Sequence, residues 1–266
     1  MSQEQNKENV FISVVIPAYN EEGRIGKTLQ AVDSYLSKKP WISEILVVSD
    51  GATDGTVGIV EGYQKLTKRL RVIANQENHG KGYVVRQGMV EAKGALRLFT
   101  DADNATPIEE LDKLLPWINL EKDHQSNILN YVGGYDVVIG SIGLKDSAVE
   151  RSEQISRVLA GKMANMLIQI LILPGIHDTQ RGFKLFTEEA AQRIFPLLRI
   201  DRWGFDMEAL ALARKFKFKI REVGVHWIHD PESKVKASAY FKTLLELFKI
   251  RMWLWLGVYK KNKTEL

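Results

Sequence analysis

Val10-Phe11-Ile12-Ser13-Val14-Val15-Ile16 runs almost without a polar side chain into Pro17-Ala18-Tyr19-Asn20-Glu21-Glu22. A strand with one solvated face alternates apolar and polar residues, whereas a strand of a parallel sheet is covered on both faces and reads as a continuous apolar run. Residues 10–16 therefore predict a buried parallel strand, and residues 18–23 the loop that leaves it. Ile25, Leu29, Val32 and Leu36 then recur every three or four positions, on one face of a helix. The alternation continues through a strand at 44–48, a helix over 56–66 with Ile59, Tyr63 and Leu66 inward, a strand at 71–74, a helix over 81–92 and a strand at 95–100. Four strands alternating with three helices point to an α/β fold built on a doubly wound, mostly parallel sheet. In such sheets the ligand lies beyond the carboxyl ends of the strands.

The second half is less regular. It reads as a helix over 109–120, a loop over 125–134, a strand at 136–140, a long helix over 150–173, a short strand at 182–186, helices over 188–195 and 206–216, a strand at 220–227, and one or two amphipathic helices over 238–259. The 266 residues, 45% of them apolar, suffice for one large domain with a small appendage. Residues 1–9 are polar and carry both charge signs, so they lack the apolar middle of a signal peptide and read as a disordered lead-in. The absence of cysteine excludes disulfides and a thiolate zinc site, and is in keeping with a reducing cytoplasm. A net charge of +4 does not point to nucleic acid, but the bases gather at the end of the chain: eight lie between 234 and 266, against two acids. The longest uncharged apolar stretch, residues 163–176, is shorter than the roughly 20 residues that cross a bilayer, so no segment is expected to span a membrane.

Chemistry concentrates at the predicted strand ends. After the fourth strand comes Thr100-Asp101-Ala102-Asp103. In extended backbone, residues two apart point to one side, so both carboxylates can face one point in the crevice, where a hard cation such as Mg2+ or Mn2+ takes carboxylate, phosphate and water oxygens. After the first strand, Tyr19 offers a ring face and Glu21 a carboxylate for a base and ribose; alternatively Asn20 and Glu22 cap a helix. After the second, Ser49-Asp50-Gly51-Ala52-Thr53-Asp54-Gly55-Thr56 makes a tight turn. After the third, Asn78-His79-Gly80-Lys81-Gly82 opens a helix where N–H groups and Lys81 would favour phosphate. This is not a Walker A loop, and Val85 holds the place of the last glycine of a dinucleotide fingerprint. His79, His177, His226 and His229 lack the spacing of a zinc site.

Val15-Ile16-Pro17-Ala18-Tyr19-Asn20-Glu21, the Ser49 to Thr56 turn, Asn78-His79-Gly80-Lys81-Gly82 and Asp101-Ala102-Asp103, in that order, resemble the pattern of glycosyltransferase family 2. Asp178-Thr179-Gln180-Arg181-Gly182-Phe183-Lys184-Leu185-Phe186, Trp203-Gly204-Phe205-Asp206-Met207-Glu208 and Ser233-Lys234-Val235 resemble its dolichyl-phosphate glucosyltransferase branch, with dolichol-phosphate mannose synthases as close relatives. The resemblance covers residues 11–255. It implies a GT-A fold over residues 10–235, a nucleotide-sugar donor, a divalent metal on Asp101 and Asp103, a polyprenyl-phosphate acceptor, and inversion at the anomeric carbon. The donor-binding set it implies is Pro17, Tyr19, Glu21, Asp50, Lys81, Asp101, Ala102 and Asp103. Ser49 stands where the family has a first acid, so Asp50 alone inherits the nucleotide contact. Ala105 stands where mannose synthases carry glutamine, which tilts the donor from GDP-mannose toward UDP-glucose. Glu232-Ser233-Lys234 replaces Gly-Ser-Lys, with Lys234 as the implied diphosphate contact.

For the reaction, Asp103, Asp178 and Lys234 are the catalytic candidates, although Asp178 could equally hold the turn that it begins. Arg151, Ser156 and Arg157 are the candidates for the acceptor phosphate, with a solvated helix face as the alternative for the two arginines. A lipid monophosphate is largely dianionic at neutral pH and needs no protein base, so positioning matters most. Trp203, Phe205, Asp206 and Glu208 belong to the resemblance; Trp203 and Phe205 read as aromatic core anchors, and Asp206 and Glu208 could as easily cap the following helix. Leu244, Leu245, Phe248, Met252, Trp253, Leu254, Trp255 and Tyr259, set among lysines, suit helices over 236–266 that lie in the surface of a membrane, at its cytoplasmic face. A nucleotidyltransferase that releases inorganic diphosphate and a non-catalytic nucleotide-sugar module are the competing readings.

Overall fold

The computed structural model describes residues 10–119, 133–150, 155–228 and 237–260. The lead-in at 1–9, Arg151 and Lys234 lie outside the described residues, as does most of the loop expected at 125–134. Strands β1 (Ile12–Ala18), β2 (Ser43–Asp50), β3 (Leu70–Asn75) and β4 (Leu96–Thr100) are joined by helices α1 (Ile25–Ser37), α2 (Thr56–Gln64) and α3 (Lys81–Glu91). β1 pairs in parallel with both β2 and β4, and β2 with β3. Every residue of β1 and β2 is buried, which is why their sequences show so little alternation. The pleat divides them between two cores: Val14, Ile16, Ile45 and Val47 face α1 and Val60 of α2, whereas Val15, Leu46 and Val48 face Val84, Val85 and Met89 of α3.

Beyond β4 the chain builds α4 (Leu111–Leu114), β5 (Val137–Ser141), β6 (Ala148–Glu150), α5 (Ile155–Leu171), β7 (Phe183–Thr187), α6 (Glu188–Ile194), α7 (Phe205–Lys215), β8 (Ile220–Gly224), β9 (His226–Ile228) and α8 (Ala237–Leu256). The main sheet runs β3-β2-β1-β4-β7-β5-β8, and β6 and β9 form a separate parallel pair. β7 lies antiparallel between β4 and β5, a departure from the parallel pattern. The order reverses at β1: β2 and β3 extend to one side of it and β4 to the other, so the switch point lies between β1 and β4.

Three expected boundaries change, and the one or two helices expected over 238–259 are a single one. The helix expected over 109–120 is a short α4 flanked by 3-10 turns, because Pro116 cannot donate in a helical ladder and the Asn119 N–H turns to the Tyr135 carbonyl at 2.6 Å. The helix expected from 150 begins at Ile155, and Ala148 to Glu150 pair with β9 instead. The strand expected over 220–227 breaks at Val225, whose N–H reaches Ser141 and whose carbonyl accepts from Ala148, moving the chain from one sheet to the other. The C-terminal region is one continuous helix, α8, which places Leu247 and Ile250 in the main core.

At the amino ends of the strands, buried Glu44 ties the sheet together. Its carboxylate accepts from the Ser13 hydroxyl at 2.6 Å, Arg71 Nε at 2.6 Å and the Lys93 N–H at 3.1 Å. Burial opposes its charge, but these donors hold its pKa below the ordinary value of 4.5. A depressed carboxylate contributes stability that is present above its unfolded pKa and lost as pH falls through its folded one. Glu44→Gln is therefore expected to lower stability at neutral pH by about 2 kcal/mol and to flatten the acid limb below the normal carboxylate range. Urea unfolding between pH 7 and pH 3 checks both; an unchanged acid limb contradicts the assignment.

Candidate functional site

The four strand-end motifs meet at the carboxyl edge of β1 to β4. Asn20 Oδ1 accepts from the Thr53 N–H at 2.8 Å, Glu22 Oε2 from the Gly55 N–H at 2.7 Å, and Thr56 Oγ1 from the Glu21 N–H at 2.7 Å. Asn20 and Glu22 thus lace the first loop to the second rather than cap α1. The Glu21 carboxylate pairs with Arg24, Pro17 is buried within β1, and the Tyr19 ring stays open to solvent. Asp50 is buried and serves the third loop, accepting from the His79 N–H at 2.7 Å and the Gly80 N–H at 2.9 Å. Gly80 has φ +113, a conformation closed to most side chains, and there the chain turns to start α3 at Lys81. Asp50 therefore sets the loop from which Lys81 springs.

Lys81 Nζ lies 2.5 Å from Asp101 Oδ1. Asp101 follows β4 directly, and its N–H donates to the Gly182 carbonyl at 3.1 Å. Gly182 precedes the antiparallel β7, and a Cβ there would run into the Asp101 carboxyl group. Ala102 is buried, with its carbonyl accepting from Thr28 Oγ1 of α1 at 2.6 Å. Asp101 and Asp103 share an electrostatic environment, but not through extended backbone. The chain turns here: the Asn104 N–H points to the Asp101 carbonyl at 3.4 Å, Asn104 takes φ +51, and Asp103 Oδ1 accepts from the Ala105 N–H at 3.0 Å. Burial, and then the negative charge of Asp101, raise the Asp103 pKa, partly offset by the Ala105 N–H, Lys81 and Arg24. Two neighbouring hard carboxylates, with the charge of Asp103 opposed by burial and by Asp101, are a donor set that a divalent cation fits. Among the described residues no cluster of three or more His, Cys, Asp or Glu could hold a metal ion.

Beside them lies a pair that the sequence reading did not single out. Lys184, fully buried in β7, puts its ammonium 2.6 Å from Oδ1 of buried Asp206 and also donates to the Arg181 carbonyl. The signal was a lysine inside the otherwise apolar run Phe183 to Phe186, followed 22 residues later by an acid where a core helix begins. Asp206 is therefore an ion-pair partner and not a cap. Glu208 is not a cap either: it accepts from the Arg199 and Ile200 N–H groups and from the Tyr259 hydroxyl. Phe205 is a core anchor as expected, but Trp203 is not; its ring stands partly exposed with Lys81 Nζ 5.5 Å from the centroid.

Asp178 spends its oxygens on the Ile142 N–H, the Gln180 N–H and Arg181 Nε, at 3.1, 3.2 and 3.1 Å. In this structure it holds the turn that leads to Gly182. Ser156 and Arg157 fall in the first turn of α5. α8 is anchored from the site side, where Glu246 accepts from the Gly204 N–H at 2.8 Å and Tyr259 donates to Glu208 at 2.7 Å. Leu244, Trp253 and Leu254 pack on the core and Tyr259 is buried, whereas Leu245, Phe248, Met252 and Trp255 are exposed; α5, which touches α8, exposes Met163, Met166 and Ile170. No helix among the described residues is long and apolar enough to cross a membrane.

The contact at Gly182 yields a test. Gly182→Ala drives a methyl group into Asp101 and is expected to cut kcat/KM by about a hundredfold while leaving the chain folded, as read by steady-state kinetics and circular dichroism. Unchanged kinetics would show that the placement of Asp101 does not matter.

Comparison with known proteins agrees with this architecture. A dolichyl-phosphate beta-glucosyltransferase of Trichomonas vaginalis is 35% identical, over 96% of this chain and 75% of the relative. The dolichyl-phosphate beta-glucosyltransferase of Saccharomyces cerevisiae is 34% identical, over 99% of this chain and 80% of that one. A crystal structure of glucosyl-3-phosphoglycerate synthase from Mycobacterium tuberculosis, in complex with Mn2+, uridine diphosphate and glucosyl-3-phosphoglycerate, aligns with a TM-score of 0.67 at 17% identity, over 92% of this chain and 81% of that one, and marks the fold as GT-A. The family model described as glycosyl transferase family 2 matches residues 13–195, from the first buried strand through β7 and α6. With its four strand-end motifs gathered at the switch point of such a sheet, this chain belongs to glycosyl transferase family 2.

Proposed function

We propose that this chain moves glucose from UDP-glucose to a dolichyl or related polyprenyl phosphate, with inversion, using Mg2+ or Mn2+ held by Asp101 and Asp103. The observation that carries this reading is the pair of carboxylates beside Lys81 at the switch point. The acceptor and sugar follow the dolichyl-phosphate beta-glucosyltransferases that match nearly the whole chain at 34–35% identity, and Ala105 in place of a glutamine supports glucose over mannose.

Asp101 and Asp103 would hold the cation, which when bound would supply Lewis-acid neutralisation of charge on the departing diphosphate. Lys81 adds a positive charge on the same side, and Lys234, in the Ser233-Lys234 motif, is assigned a second one. Tyr19 stacks on the base, and Glu21, Pro17 and Ala102 line the donor crevice. Asp50 acts by holding the Gly80-Lys81 loop, and Asp178 by holding the turn before Gly182. The acceptor phosphate, already ionised, attacks the anomeric carbon from the face opposite the diphosphate, and Arg151, Ser156 and Arg157 are assigned to its charge. The outward apolar face of α5 and α8, with the basic C-terminal segment, rests on the cytoplasmic surface of a membrane and brings the site to the lipid. Within that scheme residues 10–235 form the catalytic unit and 236–266 the membrane-interface element.

Of parallel incubations with Mn2+, a polyprenyl phosphate and either UDP-glucose or GDP-mannose, the UDP-glucose one is expected to give a glucolipid and UDP, and the GDP-mannose one no mannolipid; a mannolipid and GDP would reverse the donor assignment. Release of inorganic diphosphate, or donor binding without turnover, would instead support a nucleotidyltransferase or a binding module. Asp103→Ala is expected to lose at least about a hundredfold in kcat, and full activity in that variant would remove the metal role. Phe248→Ser with Trp255→Ser is expected to reduce sedimentation with anionic vesicles without lowering the melting temperature; undiminished sedimentation would contradict the α8 surface.

A further inference from the structure

We infer that Lys81 is an internal countercation that holds Asp101 when no donor is bound, and that the buried Asp206–Lys184 pair is the positioning device that receives Lys81 when a divalent cation reaches Asp101. This rests on the metal reading given above. Lys81 Nζ sits 2.5 Å from Asp101 Oδ1, at a carboxylate that the cation would use. An ammonium and a divalent cation on one carboxylate repel strongly in a partly desolvated crevice, so the ammonium must yield or the cation binds poorly. Burial disfavours a charge on Lys81, but Asp101, Asp206 and Asp103, in that order, favour it. Of these three acids, Asp206 alone is not a candidate metal ligand.

Asp206 is placed for that role. It is buried in the first turn of α7 and held by Lys184 at 2.6 Å, a contact that does not involve Asp101. Lys184 also donates to the Arg181 carbonyl, next to Gly182, on whose carbonyl the Asp101 N–H rests. One pair therefore fixes both the backbone beside Asp101 and a neighbouring anion for Lys81. The Trp203 ring, with its centroid 5.5 Å from Lys81 Nζ, gives the ammonium an aromatic face while it shifts.

The test is Mn2+ binding to the full chain by electron paramagnetic resonance, without nucleotide and again with UDP. Lys81→Met is expected to tighten nucleotide-free Mn2+ binding by about tenfold, because it removes a like charge a few ångströms away, whereas Lys81→Arg is expected to stay near wild type. Lys184→Met with Asp206→Leu replaces the ion pair by apolar side chains, an exchange that cores often tolerate. That double variant is expected to weaken Mn2+ binding several-fold, and adding Lys81→Met is expected to restore it. Equal affinity in wild type and Lys81→Met overturns the inference, as does a folded double variant that binds Mn2+ like wild type. If the double variant does not fold, the comparison of Lys81→Met with Lys81→Arg decides alone. Failure of the wild-type chain to bind Mn2+ in either condition removes the metal reading and this inference together; equal binding in wild type and Lys81→Met removes the inference alone.

Discussion

Asp101 joins the two halves of the molecule, with its ion pair to Lys81 on one side and its contact with Gly182 on the other. Lys81 belongs to the parallel βα half and hangs from a loop shaped by Asp50. Asp101 follows the last strand of that half and rests against Gly182, the entry to the antiparallel β7 of the other. Charges in a crevice between packed layers are stable only when each has a partner, and here the partners come from four different segments. Asp101 meets Lys81, Asp206 meets Lys184, Asp103 takes the Ala105 N–H, and Asp178 takes Arg181. The site is therefore a product of the whole sheet, and its geometry persists only while β7 keeps its place between β4 and β5.

That dependence explains which parts were legible in the sequence. The βα half was legible because burial on both faces leaves a plain mark: β1 and β2 are apolar runs, and α1 repeats Ile25, Leu29, Val32 and Leu36 at helical spacing. The direction of β7 leaves no such mark, since an apolar run reads the same in either direction. The three-residue β6 was too short to stand out against the helix that follows, and the short α4 was overridden by Pro116. At the site, Asp101 and Asp103 were legible as a pair, but the reason given was extended backbone where the structure has a turn with Asn104 at positive φ. Lys184 and Asp206 became meaningful only once β7 and α7 were seen to bring them together.

α8 shows a different limit of periodicity. Its apolar residues at helical spacing identify a helix, but not which of two apolar faces the protein itself covers. Leu247 and Ile250 go to the core, while Leu245, Phe248, Met252 and Trp255 stay outside. The helix is tied to the loops around the site through Glu246 and Tyr259. The surface assigned to the membrane and the crevice assigned to the donor thus share the segment from Arg199 to Gly204, which carries the neighbours of Gly80 and Gly82. A lipid whose phosphate must reach the crevice while its tail stays in the bilayer is served by that arrangement.

The central claim is that Asp101 and Asp103 hold a divalent cation together with the donor diphosphate. Anomalous diffraction from crystals grown with Mn2+ and UDP tests it directly. The expected result is a single strong Mn2+ peak within about 2.2 Å of a carboxylate oxygen of this pair and of diphosphate oxygens. A fully occupied UDP with no anomalous peak at Asp101 or Asp103, or with Mn2+ bound elsewhere, would contradict it.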